Sequence, residues 1–317
     1  MPMAAIRRDE MTQAQIAVIG AGLMGHGIAL TFARAGHAVR VTDPVAEARA
    51  SLMARVTDSL QLMGVAEGEI AQILPRITVV EGVAAAVQNA AFVFEAAPEK
   101  MALKQAIFAE IEAAAPATAI LCSNTSVMPI TQIMANLADK SRALGTHWWN
   151  PPHLIPLVEV IRTADTSEAA MEATMHLLAG ACKTPVRVEK DVPGFIGNRL
   201  QHALWREAVS LVERGICDAK AVDAVIKASF GRRLAVLGPL ENADLVGTDL
   251  TLDIHTTVLA DLESRPGPSP LLAQMVAEGR LGMKSGQGFH DWTPDQAQDL
   301  RAKVVSHLLA LEKLLEG

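Results

Sequence analysis

The sequence is short of the residues that mark several common protein classes. Its three cysteines, Cys122, Cys182 and Cys217, are an odd number with no paired spacing. That argues against a disulfide framework or a zinc site, and leads to the expectation of a reducing, cytoplasmic setting with no bound metal. No run of about 18 or more uncharged apolar residues occurs, so no membrane-spanning segment is expected. Lysine and arginine form no cluster and the net charge is -7, which speaks against a nucleic-acid partner, because phosphate backbones need concentrated positive charge. Arg7 and Arg8 are followed by Asp9 and Glu10, where a signal peptide would carry its apolar stretch. Residues 1–13 are therefore expected to be a loose leader. No internal repeat or low-complexity tract occurs, and Arg265 to Pro270 has the composition of a loop.

What remains is globular: half the residues are apolar and a fifth are charged. A chain of 317 residues is long for one compact core and short for three, so two domains are expected. The boundaries read from the pattern are 14–190 and 191–317.

The first of these begins with Ile16-Ala17-Val18-Ile19, an apolar run of the kind that forms a parallel strand buried on both faces. It enters Gly20-Ala21-Gly22-Leu23-Met24-Gly25 and then a helical stretch with Ile28, Ala29, Phe32 and Ala33 on one face. A GxGxxG element between strand and helix suits a dinucleotide pyrophosphate: the glycines allow a tight turn and close backbone approach, and the free amides of the helix start favour an anion. Gly20, Gly22, Leu23, Met24 and Gly25 are thus candidate cofactor residues. Val39 to Thr42 reads as the next strand and ends at Asp43, eighteen residues after the last motif glycine. A carboxylate there accepts from ribose hydroxyls and repels a 2′-phosphate, which favours NAD over NADP; the alternative is a helix cap for Val45 to Met63. Residues 45–87 read as amphipathic helical segments broken near Gly64, Gly68 and Pro75, with three arginines, no lysine and five acidic residues. Phe92-Val93-Phe94-Glu95 and Ile120-Leu121-Cys122-Ser123 read as two more buried strands. Alternation of strands and helices implies an α/β fold, a Rossmann-type doubly wound and mostly parallel sheet, with ligands at the carboxyl ends of the strands.

A second constellation lies at Gly145-Thr146-His147-Trp148-Trp149-Asn150-Pro151-Pro152, followed by Leu157-Val158-Glu159-Val160-Ile161. Two of the four tryptophans follow His147 directly, a grouping that suits a packed wall or a substrate pocket. Glu159, between two valines of an apolar strand, should be buried and so needs a partner. His147 suits it: the carboxylate would fix one imidazole nitrogen and leave the other to take a hydroxyl proton.

These pieces together resemble the L-3-hydroxyacyl-CoA dehydrogenase family over nearly the whole chain. The matching motifs are GAGLMGHGIA from Gly20, EAAPEKMALK from Glu95, SNTS from Ser123, HWWNPPHLIPLVEV from His147, PGFIGNRL from Pro193 and KSGQGF from Lys284. The resemblance implies that His147 is the general base and Glu159 its orienting carboxylate, and that Ser126 and Asn198 hold the substrate oxygen and its proton network. It implies that Glu99, Lys104, Asn150 and Lys284 contact the cofactor, and that a secondary alcohol β to a carboxyl or thioester is oxidised to the ketone. Two positions depart from the acyl-CoA pattern: Val127 replaces a second serine, and residues 45–87 lack the basic arm that holds the CoA nucleotide. Relatives that act on free acids such as gulonate, carnitine and pyridine carboxylates offer an alternative substrate class, and His153 after the NPP turn is similar to the pyridine-carboxylate type. A non-catalytic, crystallin-like NAD-binding protein is a third possibility, opposed by the presence of Ser126, His147, Glu159 and Asn198.

After a Pro-Gly interruption at Asp191 to Gly194, the text is helical, with Leu200, Leu204, Ala208 and Leu211 on one face. Further helices are expected over Ala219 to Ser229, Asn242 to Leu262, Pro270 to Glu278 and Pro294 to Leu315. Family members commonly dimerise through this domain, so the resemblance implies an all-α C-terminal domain and a homodimer acting on a small-molecule substrate.

Overall fold

The structure, a computed structural model, describes residues 14–315. The leader expected over residues 1–13 lies outside the described residues. In chain order the elements are β1 (Gln15–Ile19), α1 (Leu23–Arg34), β2 (Ala38–Thr42), α2 (Ala46–Ala50), α3 (Leu52–Leu62), α4 (Glu67–Ile73), β3 (Ile77–Val79), α5 (Val83–Val87), β4 (Phe92–Glu95), α6 (Met101–Ala114), β5 (Ile120–Ser123) and α7 (Ile130–Ile133). They continue with β6 (Ala143–Trp148), β7 (Leu157–Ile161), α8 (Glu168–Gly180), β8 (Thr184–Val188), α9 (Gly197–Glu213), α10 (Ala219–Ala228), α11 (Pro239–Val246), α12 (Thr248–Val258), α13 (Pro270–Ala277) and α14 (Pro294–Leu315).

The strands form one eight-stranded sheet in the order β3-β2-β1-β4-β5-β6-β7-β8. Every neighbouring pair is parallel except β6–β7, which is antiparallel. The order reverses between β1 and β4, and that switch point is where a doubly wound sheet opens a crevice at its carboxyl edge. Full burial explains the apolar runs: Phe92 to Glu95 and Ile120 to Ser123 are buried at every position. Helix α1 lays Ile28, Ala29, Phe32 and Ala33 on the sheet, all wholly buried. Phe32, Phe94 and Trp148 meet there, with ring centroids 4.8 to 6.1 Å apart, tying the first helix to the strand that carries His147.

The chain divides into two compact units. One runs to Arg199 and takes in the chain again from His307; the other is Leu200–Ser306. Two expectations need correction. The stretch 45–87 is not wholly helical, because Ile77–Val79 is a strand that pairs with β2; at three residues just after Pro75 it is too short to show an alternating pattern. The segment expected to run as a helix from Asn242 to Leu262 is two helices, parted at Gly247, whose φ of 101° is open to glycine and closed to most L residues. No helix among the described residues is long and apolar enough to cross a membrane.

Candidate active site

At the switch point the glycine motif has a distinct job for each glycine. Gly20 has φ +108°, and a Cβ there would lie 2.7 Å from the carbonyl oxygen of Ala96. On Gly25 a Cβ would strike the carbonyl of Gly20, so the helix could not pack this close to the loop. Around Gly22 nothing lies within 4 Å of that position, which leaves open space at the start of α1. Gly22 caps α1 without a side-chain hydrogen bond, and no acidic residue stands in the first turn; the amides of Leu23 and Met24 are therefore available to an anion. Asp43 closes the loop from the end of β2. Its Oδ2 accepts from the Ala21 amide at 2.7 Å and its Oδ1 from the Val45 amide at 2.9 Å. Each oxygen keeps further acceptor capacity. The open loop, uncapped helix start and carboxylate fit a dinucleotide with a free 2′-hydroxyl.

A buried ionic network underlies the ends of β4 and β5. Glu95 and Lys104 have fully buried side chains, 2.7 Å apart from oxygen to nitrogen. Glu95 also accepts from the Ala97 amide and the Ser123 hydroxyl, each at 2.7 Å, so its charge is fully partnered. Lys104 spends another N–H on the Ala97 carbonyl at 3.1 Å. Lys104, which the resemblance places at the cofactor, has a fully buried side chain whose ammonium is held by Glu95 and Ala97. Glu99, partly exposed, accepts from the Thr125 hydroxyl at 2.9 Å and the Ser126 amide at 2.6 Å, and so pins the loop after β5. The Ser126 carbonyl in turn accepts from the Asn198 side-chain amide at 2.8 Å.

His147 and Glu159 stand directly opposite each other in the antiparallel β6–β7 register. Residues so placed bring their side chains together on one face. His147 Nδ1 and Glu159 Oε2 are 2.7 Å apart, with 4% and 1% of the two residues exposed. The other carboxylate oxygen of Glu159 accepts from the amides of Ile196 at 2.8 Å and Gly197 at 2.9 Å. Those amides are delivered by the turn after Pro193, where Gly194 and Phe195 both have positive φ, 75° and 49°; for Phe195 this is a strained conformation held by its burial. Burial alone would raise the Glu159 carboxyl, yet the hydrogen bonds from His147, Gly197 and Ile196 outweigh it and hold the group below the usual carboxylate range. Aromatic rings enclose the imidazole: Trp149 lies 5.3 Å and Phe195 5.7 Å from it between centroids. Gly197 packs on the Trp149 indole so closely that a Cβ would come within 2.4 Å.

The NPP turn leads away from this wall. Asn150 is exposed there. Lys183 fixes the turn by donating to the carbonyls of Pro152 at 2.6 Å and Ile155 at 3.0 Å, with its ammonium 5.6 Å from the Trp148 ring centroid. Burial pushes Lys183 down to about 8. His153 lies 5.6 Å from His26 between ring centroids, and its buried Nδ1 has no hydrogen-bond partner among the described residues. Burial, with the neighbouring His26 and Lys183, pushes His153 down to about 4; burial also lowers His26.

The structure thus brings His147, Glu159, Ser126, Asn198 and Glu99 into connected networks, and gathers Gly20, Gly22, Leu23, Met24, Gly25 and Asp43 at the loop. Lys284 belongs to the second unit, exposed in the turn between the bridged residues Gly282 and Gln287. Arg55 was not singled out from the sequence, and Glu95 and Ser123 entered there only as members of their motifs, without a role. Glu95 could have been given one, since it ends an apolar strand and the argument used for Glu159 applies to it unchanged.

A doubly wound sheet with this loop and a carboxylate-braced histidine at its carboxyl edge defines a dinucleotide-dependent oxidoreductase. The profile of the 3-hydroxyacyl-CoA dehydrogenase NAD-binding domain matches residues 15–192, and that of the C-terminal domain of the same enzymes matches residues 194–292. A 5-formyl-3-hydroxy-2-methylpyridine 4-carboxylate 5-dehydrogenase from Mesorhizobium japonicum is 36% identical over 305 residues, 95% of this chain and 98% of that protein. A probable 3-hydroxybutyryl-CoA dehydrogenase from Bacillus subtilis is 38% identical over 283 residues, 88% of this chain and 97% of its own. Among solved structures, a 5-formyl-3-hydroxy-2-methylpyridine 4-carboxylic acid 5-dehydrogenase, described as an NAD+-dependent dismutase, superposes with a TM-score of 0.89 at 33% identity, covering 96% of this chain and 99% of that one. The chain belongs to the 3-hydroxyacyl-CoA dehydrogenase family. It is an oxidoreductase acting on CH–OH donors with NAD as cofactor.

The unpartnered His153 makes the fold sensitive to acid. Its pKa is about 4 in the folded chain against an ordinary 6.5, so between those values the unfolded chain binds more protons and stability falls as pH falls. The thermal midpoint of the wild type should drop more steeply from pH 7 to pH 4 than that of His153→Gln. Parallel curves would contradict the assignment.

Proposed function

We propose that the chain oxidises the hydroxyl-bearing carbon of a small free carboxylic acid, with His147 as general base and Glu159 as its orienting partner. The observation that carries the base is the 2.7 Å contact of His147 Nδ1 with Glu159. A carboxylate on Nδ1 keeps the proton there and leaves Nε2 as the acceptor of a hydroxyl proton. As the ring becomes cationic, the negative charge of Glu159 stabilises it in a site from which the aromatic wall excludes water. Bound NAD supplies the hydride acceptor. Ser126 is positioned by Glu99 on its amide and Asn198 on its carbonyl, and its hydroxyl is assigned to the substrate oxygen. Asn198 and Lys104 support the site through Ser126 and through Glu95 and Ala97. Asn150 is assigned to the cofactor.

The free-acid substrate is supported by the arm between β2 and β4. Each of the arginines of residues 45–87 is engaged within the protein: Arg49 on the Asp43 and Pro44 carbonyls and on Glu81, Arg55 on the Ala21, Gly22 and Ala48 carbonyls, and Arg76 on the Ala33 carbonyl. With no lysine in that stretch and five acidic residues beside the three arginines, the arm offers no basic cluster of the kind that holds a CoA nucleotide. A hydrated aldehyde presents the same H–C–O–H unit as a secondary alcohol, so the dyad serves a heterocyclic carboxylic acid of the pyridine type equally well.

We also assign the protein to homodimers. In the second unit Leu240, Val236, Leu245 and Leu252 are 81%, 70%, 72% and 66% exposed, and apolar surface on that scale calls for a partner.

The assay follows NADH absorbance with free 3-keto and aromatic acids and with acetoacetyl-CoA. Turnover is expected with members of the acid panel and not with the thioester; the reverse result would restore the CoA reading. His147→Gln should lower kcat by about 10²–10⁴-fold with NAD affinity unchanged, and activity surviving in that variant would remove His147 from its role. Light scattering should return twice the chain mass; a monomer at micromolar concentration would contradict the dimer.

A further inference from the structure

The glycine loop carries a charge that the function described so far does not use. Arg55, near the start of α3, reaches across to it: one guanidinium nitrogen donates to the Gly22 carbonyl at 3.1 Å, and the other to the carbonyls of Ala21 and Ala48. All three acceptors are neutral. Among the described residues, no carboxylate forms an ion pair with this guanidinium, whereas Arg49 pairs with Glu81 and Arg142 with Glu112 and Asp139. A half-buried cation without a counter-charge is costly to hold unless an anion completes it.

Its surroundings reinforce the point. The carbonyls of Ala21 and Gly22 belong to the same turn whose next amides, Leu23 and Met24, open α1 without a cap. The guanidinium and the positive end of the helix thus belong to one turn of chain. His26, one turn further along α1, has its pKa lowered first by burial and further by Arg55. A guanidinium has five N–H donors, and the three carbonyls do not exhaust them.

We propose that Arg55 is a ligand of the dinucleotide diphosphate, donating its remaining N–H groups to a phosphate oxygen while the loop amides hold the other side. The proposal rests on NAD being the cofactor. It assigns the one arginine of the arm that touches the loop to the cofactor and not to a substrate phosphate. The carbonyl contacts hold the guanidinium in place before the ligand arrives, so little side-chain freedom is lost on binding.

Calorimetric titration of the full-length protein with NAD and with ADP-ribose tests this without reference to catalysis. Arg55→Met should weaken both ligands by about tenfold or more, Arg55→Lys should recover part of that loss because it keeps the charge, and the salt dependence of Kd should flatten in Arg55→Met. Thermal midpoints of the variants should stay near that of the wild type. Affinity within about twofold of the wild type in Arg55→Met would overturn the proposal. So would an equal loss in both variants accompanied by a lowered midpoint, the signature of an arginine that only braces the loop. A wild type that binds neither ligand would overturn the cofactor reading itself, and the proposal with it.

Discussion

A buried carboxylate must be satisfied on every side, and Glu159 sets that requirement for much of the first unit. It sits on β7, between β6 and β8, with 1% of its surface exposed, where an unpartnered charge would cost several kcal/mol. Three donors answer it: the imidazole of His147 and the amides of Ile196 and Gly197. Each donor imposes a constraint of its own. The imidazole requires β6 and β7 to be antiparallel and in this register. The amides require the turn after Pro193 to pass through two residues with positive φ, and that turn starts α9. Gly197 must lack a side chain so that the Trp149 indole can close over the imidazole.

A second satisfied carboxylate, Glu95, organises the cofactor side in the same way. It ends β4, as Glu159 lies within β7, and its partners are Lys104, the Ala97 amide and Ser123. Beside these two systems, Ser126 is held on both sides. Glu99 holds its amide and Asn198 holds its carbonyl, so the peptide on which the proposed oxygen ligand depends is fixed from the cofactor side and the proton side together. Rigid placement of this kind suits proton and hydride transfer, where small displacements of the reacting atoms are expensive.

Much of this was legible in the sequence, for identifiable reasons. The buried parallel strands announce themselves as unbroken apolar runs, and the glycine loop announces itself by its place between strand and helix. Glu159 was legible because a carboxylate among valines contradicts its surroundings, and that contradiction is informative. The strand Ile77–Val79 was not, since three residues carry no period. The break at Gly247 was hidden because a helical pattern tolerates a lone glycine. The burial of Lys104 was not legible, because it depends on Glu95, nine residues earlier in the chain. Arg55 had no local signature: its meaning comes from carbonyls thirty-three and thirty-four residues away.

The central claim is that Glu159 holds the proton of neutral His147 on Nδ1 and leaves Nε2 free. Nitrogen-15 NMR of the histidine-labelled protein at pH 8, with His147 assigned by substitution, reads this tautomer directly. A pyrrole-type Nδ1 shift and a pyridine-type Nε2 shift are expected, with the preference lost in Glu159→Gln. An Nε2–H tautomer in the wild type would contradict the account.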